Sequence, residues 1–485
     1  MSSVVNPLQL SPGEAKLRGS YRFLLLMVLT FVIMAIVAVA QLKSTNGLQS
    51  SFLVLSMVHL TVLFVWLTVD RREDELDVLS PMMVVLLASL IHFVGPAAYN
   101  LIDLTLPTAV FAYLQAHISV GGFVVAFMLG FLAMAKRRLD SASAIPFNGR
   151  IVFLMSVAYV GVSLLATAYF IVRAGGIFNH LASLGLRMGV FEGKGVLLSF
   201  MTLSAPALIL SYLLFVKKRG LLTLGWFAFV FAMAVFTGVM TGSRGGLAAV
   251  FLCLLIIRHY VVKPLTIVQS FLVVGVLAVF LVAFIALVRQ PSLGEDLSRL
   301  SATELTTETL TILYGKGTFK EFNSIARVHE KFPVEHTYLN GTSLLAALTF
   351  PIPRAIMPDK LPGGSELFTR LVRPEIWSQG RGDRVTFIGE LFMNFGWLGV
   401  FLGGLVLGVL VSGLYNAMLS YQGAVFYVAL YAIGLVSFVS LIRGDFAIAS
   451  FQFLRMAAPI ALVVFLCGQF RFGAGQPGLP LAGSR

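Results

Sequence analysis

Arg244 stands in the stretch TGSRGGLAAV, Thr241 to Val250, between the apolar runs LLTLGWFAFVFAMAVF and FLCLLII. An arginine among hydrocarbon is costly and needs a partner or water. Gly242, Gly245 and Gly246 permit close backbone approach, and Ser243 and Arg244 present donors where a helix is expected to begin. A helix N-terminus beside a planar guanidinium fork suits a phosphate-like anion. A tight turn whose arginine snorkels to the interface accounts for the same residues.

A second constellation is GRGDRVTFIGELFMNFGWLGVFLGGLVLG, Gly380 to Gly408. Asp383 and Arg384 precede an expected helix on which Glu390 and Asn394, four residues apart, share one face. Glu390 reads either as a carboxylate satisfied by an arginine or as a general base or orienting group in a wet cavity. The glycines that follow give small-xxx-small spacing at Gly399/Gly403 and Gly404/Gly408, the pattern of close helix packing. A third constellation, LIRGDFAIASFQFLRMAAP, holds Arg443 and Asp445 in a short turn and Arg455 further along. It reads as an Arg–Asp clip, or as two more arginines facing the cavity of Arg244.

The elements that must position these groups are membrane helices. Of 485 residues, 58% are hydrophobic and 12% charged, and the mean hydropathy is +0.91. A soluble domain carries about twice that charge. Apolar runs long enough to cross a bilayer core of about 30 Å recur along the chain. Twelve spans are expected, at 22–42, 52–69, 79–98, 116–135, 151–172, 197–216, 221–240, 245–262, 266–288, 385–413, 423–441 and 447–468. The first reads as a signal anchor, being too long for a signal-peptide core. The expected fold is therefore an all-α polytopic membrane protein with one long polar loop. Residues 1–288 carry spans one to nine, 289–384 form the loop or lid, 385–470 carry spans ten to twelve, and 471–485 form a tail.

Sixteen Lys and Arg fall in one set of short connections, against six in the alternate set: Lys43, Arg173, Arg187, Lys194, Arg244 and Arg443. The positive-inside rule puts the sixteen, and both termini, in the cytoplasm. The net charge of +13 then reads as an orientation signal, and no nucleic-acid partner is implied. Segment 289–384 and the Arg244 turn fall outside. In that segment FKEFNSIARVHEKF and LSRLSATELTTETLTILYG read as short amphipathic helices, and PIPRAIMPDKLPGG as a stiff irregular loop.

Other features have plainer readings. DRREDELD, Asp70 to Asp77, mixes signs and reads as a solvated cytoplasmic loop; His59 and His92 read as structural hydrogen-bonding residues, and Cys253 and Cys467 as small buried hydrophobes. No metal-ligand spacing, phosphate loop or nucleophile elbow is present.

The order of TGSRGG between two spans, a long outer loop with PIPRAIMPDK, GELFMNFGWLG opening the tenth span, and RGD before the last resembles the Wzy-type O-antigen and oligosaccharide repeat-unit polymerases of bacteria. The resemblance covers roughly residues 220–460. These polymerases are similar to lipid-linked sugar transferases of the GT-C class. The resemblance implies a metal-independent glycosyltransferase of the bacterial inner membrane, with its site facing the periplasm and no cofactor. A glycan on undecaprenyl diphosphate would be moved onto a lipid-linked repeat unit, and a chain-length regulator is a further partner it admits. Positive charge would hold the leaving diphosphate, and a carboxylate would orient or deprotonate the acceptor hydroxyl.

The catalytic set expected is Glu390, Asp383 and Arg244, with Asp445 and His336 as alternative bases. The substrate-binding set is Arg173, Ser243, Arg244, Arg384, Asn394, Arg443 and Arg455. An O-antigen ligase shares the layout, but ligases carry a histidine near the tenth span, where this chain has Glu390 and Asn394. A lipid-glycan flippase would call for polar residues at mid-bilayer depth and pseudo-repeats, whereas the charges here cluster at span ends.

Overall fold

The computed structural model describes residues 77, 79–97, 99, 110–134, 146–184, 190–191, 193–266, 269, 272, 321–353, 356–420 and 425–469. Among these residues the chain is helical, without strands. The helices are α1 (Pro81–Ser89), continued by a π-helical turn Leu90–Val94, α2 (Val110–Met134), α3 (Gly149–Arg173), α4 (Ile177–Ser183), α5 (Gly195–Met201), α6 (Ser204–Lys217), α7 (Leu221–Met240) and α8 (Arg244–Val261). Then come α9 (Glu321–Lys331), α10 (Thr342–Thr349), α11 (Gly364–Val372), α12 (Pro374–Trp377), α13 (Phe387–Ser420), α14 (Val425–Arg443) and α15 (Phe446–Gln469).

Seven stretches are long and apolar enough to cross a membrane: α2, α3, α5 with α6, α7, α13, α14 and α15. Two shorter apolar helices, Pro81–Ala97 and Gly245–Val261, fall on the expected third and eighth spans. The protein is thus an α-helical membrane protein. The expected spans 22–42 and 52–69, nearly all of 266–288, and the first loop helix lie outside the described residues.

Polar residues start the helices and stitch them together. Ser80 and Ser243 cap α1 and α8 by accepting from Met83 N and Gly246 N, and Asn148 caps α3. Such caps satisfy amides that an apolar surrounding would leave stranded. Between helices, Trp226 Nε1 donates to Ser156 Oγ at 3.0 Å, Tyr159 to Pro459 O at 3.0 Å, and Ser204 and Thr237 share a bond at 2.6 Å.

These links sort the helix ends into two groups. Phe147 stacks on Phe426, Lys218 lies against Gly149, and Asn416 donates to Met134 O. That end also carries Asp77. Its Oδ2 accepts from Tyr260 at 2.5 Å and Tyr415 at 2.7 Å, and its Oδ1 faces His259 Nε2 at 3.3 Å. His259 Nδ1 accepts from Leu265 N, so Nε2 carries the ring proton and points it at Asp77. Burial alone would raise the Asp77 pKa, but the bonds from His259, Tyr260 and Tyr415 outweigh it and hold the carboxyl below its ordinary value. The expected solvated loop therefore ends in a half-buried anchor joining α8, α13 and the start of α1.

At the opposite end are the starts of α8, α13 and α15 and the ends of α3, α7 and α14. The expected tenth span, 385–413, is not one straight helix. Gly396 adopts φ 60° and ψ −148°, which breaks α13. A Cβ on Gly399 would lie 2.6 Å from Leu391 O, and one on Gly403 would collide with Leu391 Cδ1. In a continuous helix, residues eight and twelve apart are separated by about 12 and 18 Å. The first piece, 387–395, therefore folds back on the second. The second piece, 397–420, has a length of about 36 Å and suffices to cross.

The glycine pattern has two jobs. Gly399 and Gly403 admit the fold-back, whereas Gly404 and Gly408 lie against the backbone of α2 at Phe123 O and Phe127 O. Gly396→Ala would place a side chain in a glycine-only conformation, with its Cβ 2.8 Å from the Tyr338 hydroxyl. A loss of about 1–3 kcal/mol is expected from the backbone conformation alone. Gly413→Ala, with no atom within 4 Å, is the control, and thermal unfolding of both variants in detergent checks the difference.

Candidate functional site

The fold-back delivers Glu390 to a fully enclosed position, 0% exposed. Its Oε1 accepts from Ser343 Oγ at 2.7 Å, and its Oε2 from the backbone N–H of Phe446 at 2.6 Å. Asn394 closes the ring: its Nδ2 donates to Ser343 Oγ at 2.7 Å and to Glu390 O at 2.8 Å, and its Oδ1 accepts from Gly341 N at 2.9 Å. The shared face of Glu390 and Asn394 is thus real, and Ser343 bridges them. Among the described residues no arginine satisfies the Glu390 carboxylate; a hydroxyl and a helix N-terminus do. The loop before α10 is tied on by Leu339 N to Met393 O and Asn340 N to Asn394 O.

Asp445 is 1% exposed and starts the same helix. Its Oδ1 accepts from Ile448 N at 2.8 Å, and its Oδ2 from Ser365 N at 3.1 Å. Two carboxylates therefore sit at the N-terminus of α15, where free amides and the helix dipole favour negative charge. The start of α11 is wedged beside them, and a Cβ on Gly364 would fall 2.5 Å from Glu390 Oε1.

The expected Arg443–Asp445 clip does not form. Arg443 Nε instead donates to Glu321 Oε1 at 3.2 Å, and His92 Nδ1 lies 3.5 Å from Glu321 Oε2. Glu321 opens α9, the amphipathic helix expected at FKEFNSIARVHEKF. Burial would raise its pKa, but the neighbouring His92 ring and the Arg443 guanidinium outweigh it and hold the carboxyl below its usual value. Glu321 is the site residue that sequence reasoning passed over. Its signal was an acid beside Phe322 on the apolar side of an amphipathic helix.

Asp383 pairs with Arg373 at 2.9 Å and accepts from Arg384 N at 2.9 Å. Its backbone is pinned to Thr369. The Arg384 and Arg173 side chains are exposed. Arg455 lies 5.7 Å from the Phe451 ring, one turn along α15. His336 Nε2 meets Leu371 O at 3.0 Å. Ser243 is half-buried after Gly242 at φ 63°. The Arg244 side chain lies outside the described residues; its backbone opens α8. Among the described residues, no group of three His, Cys, Asp or Glu is placed to hold a metal ion.

The structure thus brings Glu390 and Asn394 into one bonded cluster with Ser343, and sets Asp445 beside it at the N-terminus of α15. Arg443 is held at the same end by Glu321. Arg173 and Ser243 share that end without bonding to the cluster. The His329 ring joins α9 to α2 through Ser119 Oγ at 2.7 Å and packs on Phe392 at 3.8 Å.

Two outcomes follow from these contacts. Glu390→Gln removes one acceptor, so either Ser343 or Phe446 N–H loses its partner, costing about 1–3 kcal/mol. Glu390→Ala strands both donors and lowers the unfolding temperature further. The second concerns pH: burial pushes the His329 pKa down to about 3. The unfolded chain takes up that proton near pH 6.5, so this stability is present above 6.5 and is lost as pH falls toward 3. Between pH 7 and 5 the loss is about 2 kcal/mol. Unfolding temperatures of the wild type and His329→Gln at the two pH values check it, the variant losing that pH dependence.

No family model, curated protein or solved structure matches this chain.

Proposed function

We propose that the protein is a glycosyltransferase that joins undecaprenyl-diphosphate-linked oligosaccharide repeat units at the outer face of a bacterial inner membrane. The reading takes twelve spans, cytoplasmic termini and a periplasmic segment 289–384. The observation that carries it is the gathering of Arg173, Ser243, Arg384 and Arg443 with Glu321, Asp383, Glu390 and Asp445 at one end of the helices. Positive donors beside carboxylates are what a diphosphate leaving group and an acceptor hydroxyl require.

The geometry divides the labour. Both Glu390 oxygens are bonded and enclosed, so Glu390 positions the end of α15 and the α10 loop. Asp383, with its side chain 33% exposed, is the carboxylate that can meet an acceptor hydroxyl. The C1–O bond of the donor sugar to diphosphate breaks, a bond from C1 to the acceptor oxygen forms, and the acceptor proton passes to a carboxylate. Arginine forks stabilise the diphosphate that departs.

The test is purified protein in lipid nanodiscs given a lipid-diphosphate-linked repeat unit. A ladder of products is expected, and Asp383→Asn should slow it by about 10²-fold with folding intact. Arg443→Lys should also be slow, because the fork geometry is lost. Unchanged glycan, or a single transfer onto lipid A core with no ladder, would overturn the reading.

A further inference from the structure

α10 is an amphipathic helix turned inside out. Its inward face carries Ser343, bonded to Glu390, and Ala346; both are 0% exposed. Its outward face carries Leu345, 54% exposed, and Leu348, 76% exposed. The irregular stretch after it adds Ile356 at 75%. A helix bathed in water presents the opposite pattern.

The neighbour of α10 says what covers this face. α10 packs on α15, and Phe350, just after it, meets Phe451 of α15 at 5.5 Å. α15 is long and apolar enough to cross a membrane and is itself mostly unburied, with Ile448, Phe453 and Leu454 exposed. The leucines of α10 thus extend the lipid-facing surface of a spanning helix. Eight residues rise only about 12 Å, against a hydrocarbon core of about 30 Å, so α10 cannot cross. Lys360 lies over the Phe350 ring and donates to Phe350 O and Ile352 O, placing a cation and its bonds where the chain turns back. That is the position of an interfacial anchor.

We infer that α10 and Ile356 are immersed in the membrane, with Leu345, Leu348 and Ile356 among the lipid chains at the leaflet beside the Glu390 cluster. The polar-rich segment between the spans is then no free aqueous lid. Its middle is held by the bilayer, and the buried Ser343 is held against Glu390 from the lipid side.

The inference stands apart from glycosyl transfer and can be tested on protein with no activity. The two native cysteines are buried, so nitroxide can be placed on Leu348→Cys and separately on Ile356→Cys, in lipid nanodiscs. Gln379→Cys, on an exposed loop residue, is the aqueous control. At 348 and 356, relaxation by oxygen should exceed relaxation by a water-soluble nickel chelate, with the order reversed at 379. Nickel preference at 348 and 356 would place them in water. Protection from both reagents would mean that protein, including a second copy of this chain, covers the face. Either result overturns the inference.

Discussion

The organisation of one end of this protein depends on one buried carboxylate. Glu390 holds Ser343 of α10 with one oxygen and the first amide of α15 with the other, while α11 packs against it through Gly364. Removing a carboxyl from water is expensive, and bonds from a hydroxyl and an unpaired helix amide offset that cost. The arrangement works because the apolar surroundings that make the group expensive also make each bond to it strong. Asn394, on the same face one turn later, locks the hydroxyl that Glu390 needs. Three segments far apart in sequence thereby become one unit.

Asp77 performs a similar task at the other end. It gathers two phenols, an imidazole and a backbone amide from three parts of the chain. The α8, α13 and α14 helices meet around it, with Tyr431 completing the contact through Leu79 O. Each end of the assembly is thus fastened by an acid, and the middle is filled by apolar packing and serine or threonine bonds between helices.

Much of this was legible in the sequence, and what was not has definite physical reasons. Hydropathy located the helices because crossing a bilayer constrains length and composition together. The Glu390–Asn394 face was readable because residues four apart must share a side of a helix. Ser343 was not readable, since nothing local marks which hydroxyl in a distant loop will meet a given carboxylate. Asp77 was taken as solvated because its neighbours in sequence are charged, while its partners in space are Tyr260 and Tyr415. The break at Gly396 was hidden because an apolar run reads the same whether it is straight or folded back. Only the conformation of one glycine separates the two. The Arg443–Asp445 clip was the natural guess for residues two apart, but a helix end between them sends Arg443 to Glu321 and keeps Asp445 as a cap.

The fold-back at Gly396 also sets an order of assembly. The amide that satisfies Glu390 belongs to Phe446, which is synthesised two helices later. While α13 and α14 enter the bilayer, the short piece 387–395 carries a carboxyl whose final partner does not yet exist. Ser343 is already made and can hold one oxygen during that interval, but the second must stay hydrated until the chain delivers α15. Closure of this end therefore waits for α15, and the second Glu390 oxygen gains its partner only when that helix docks.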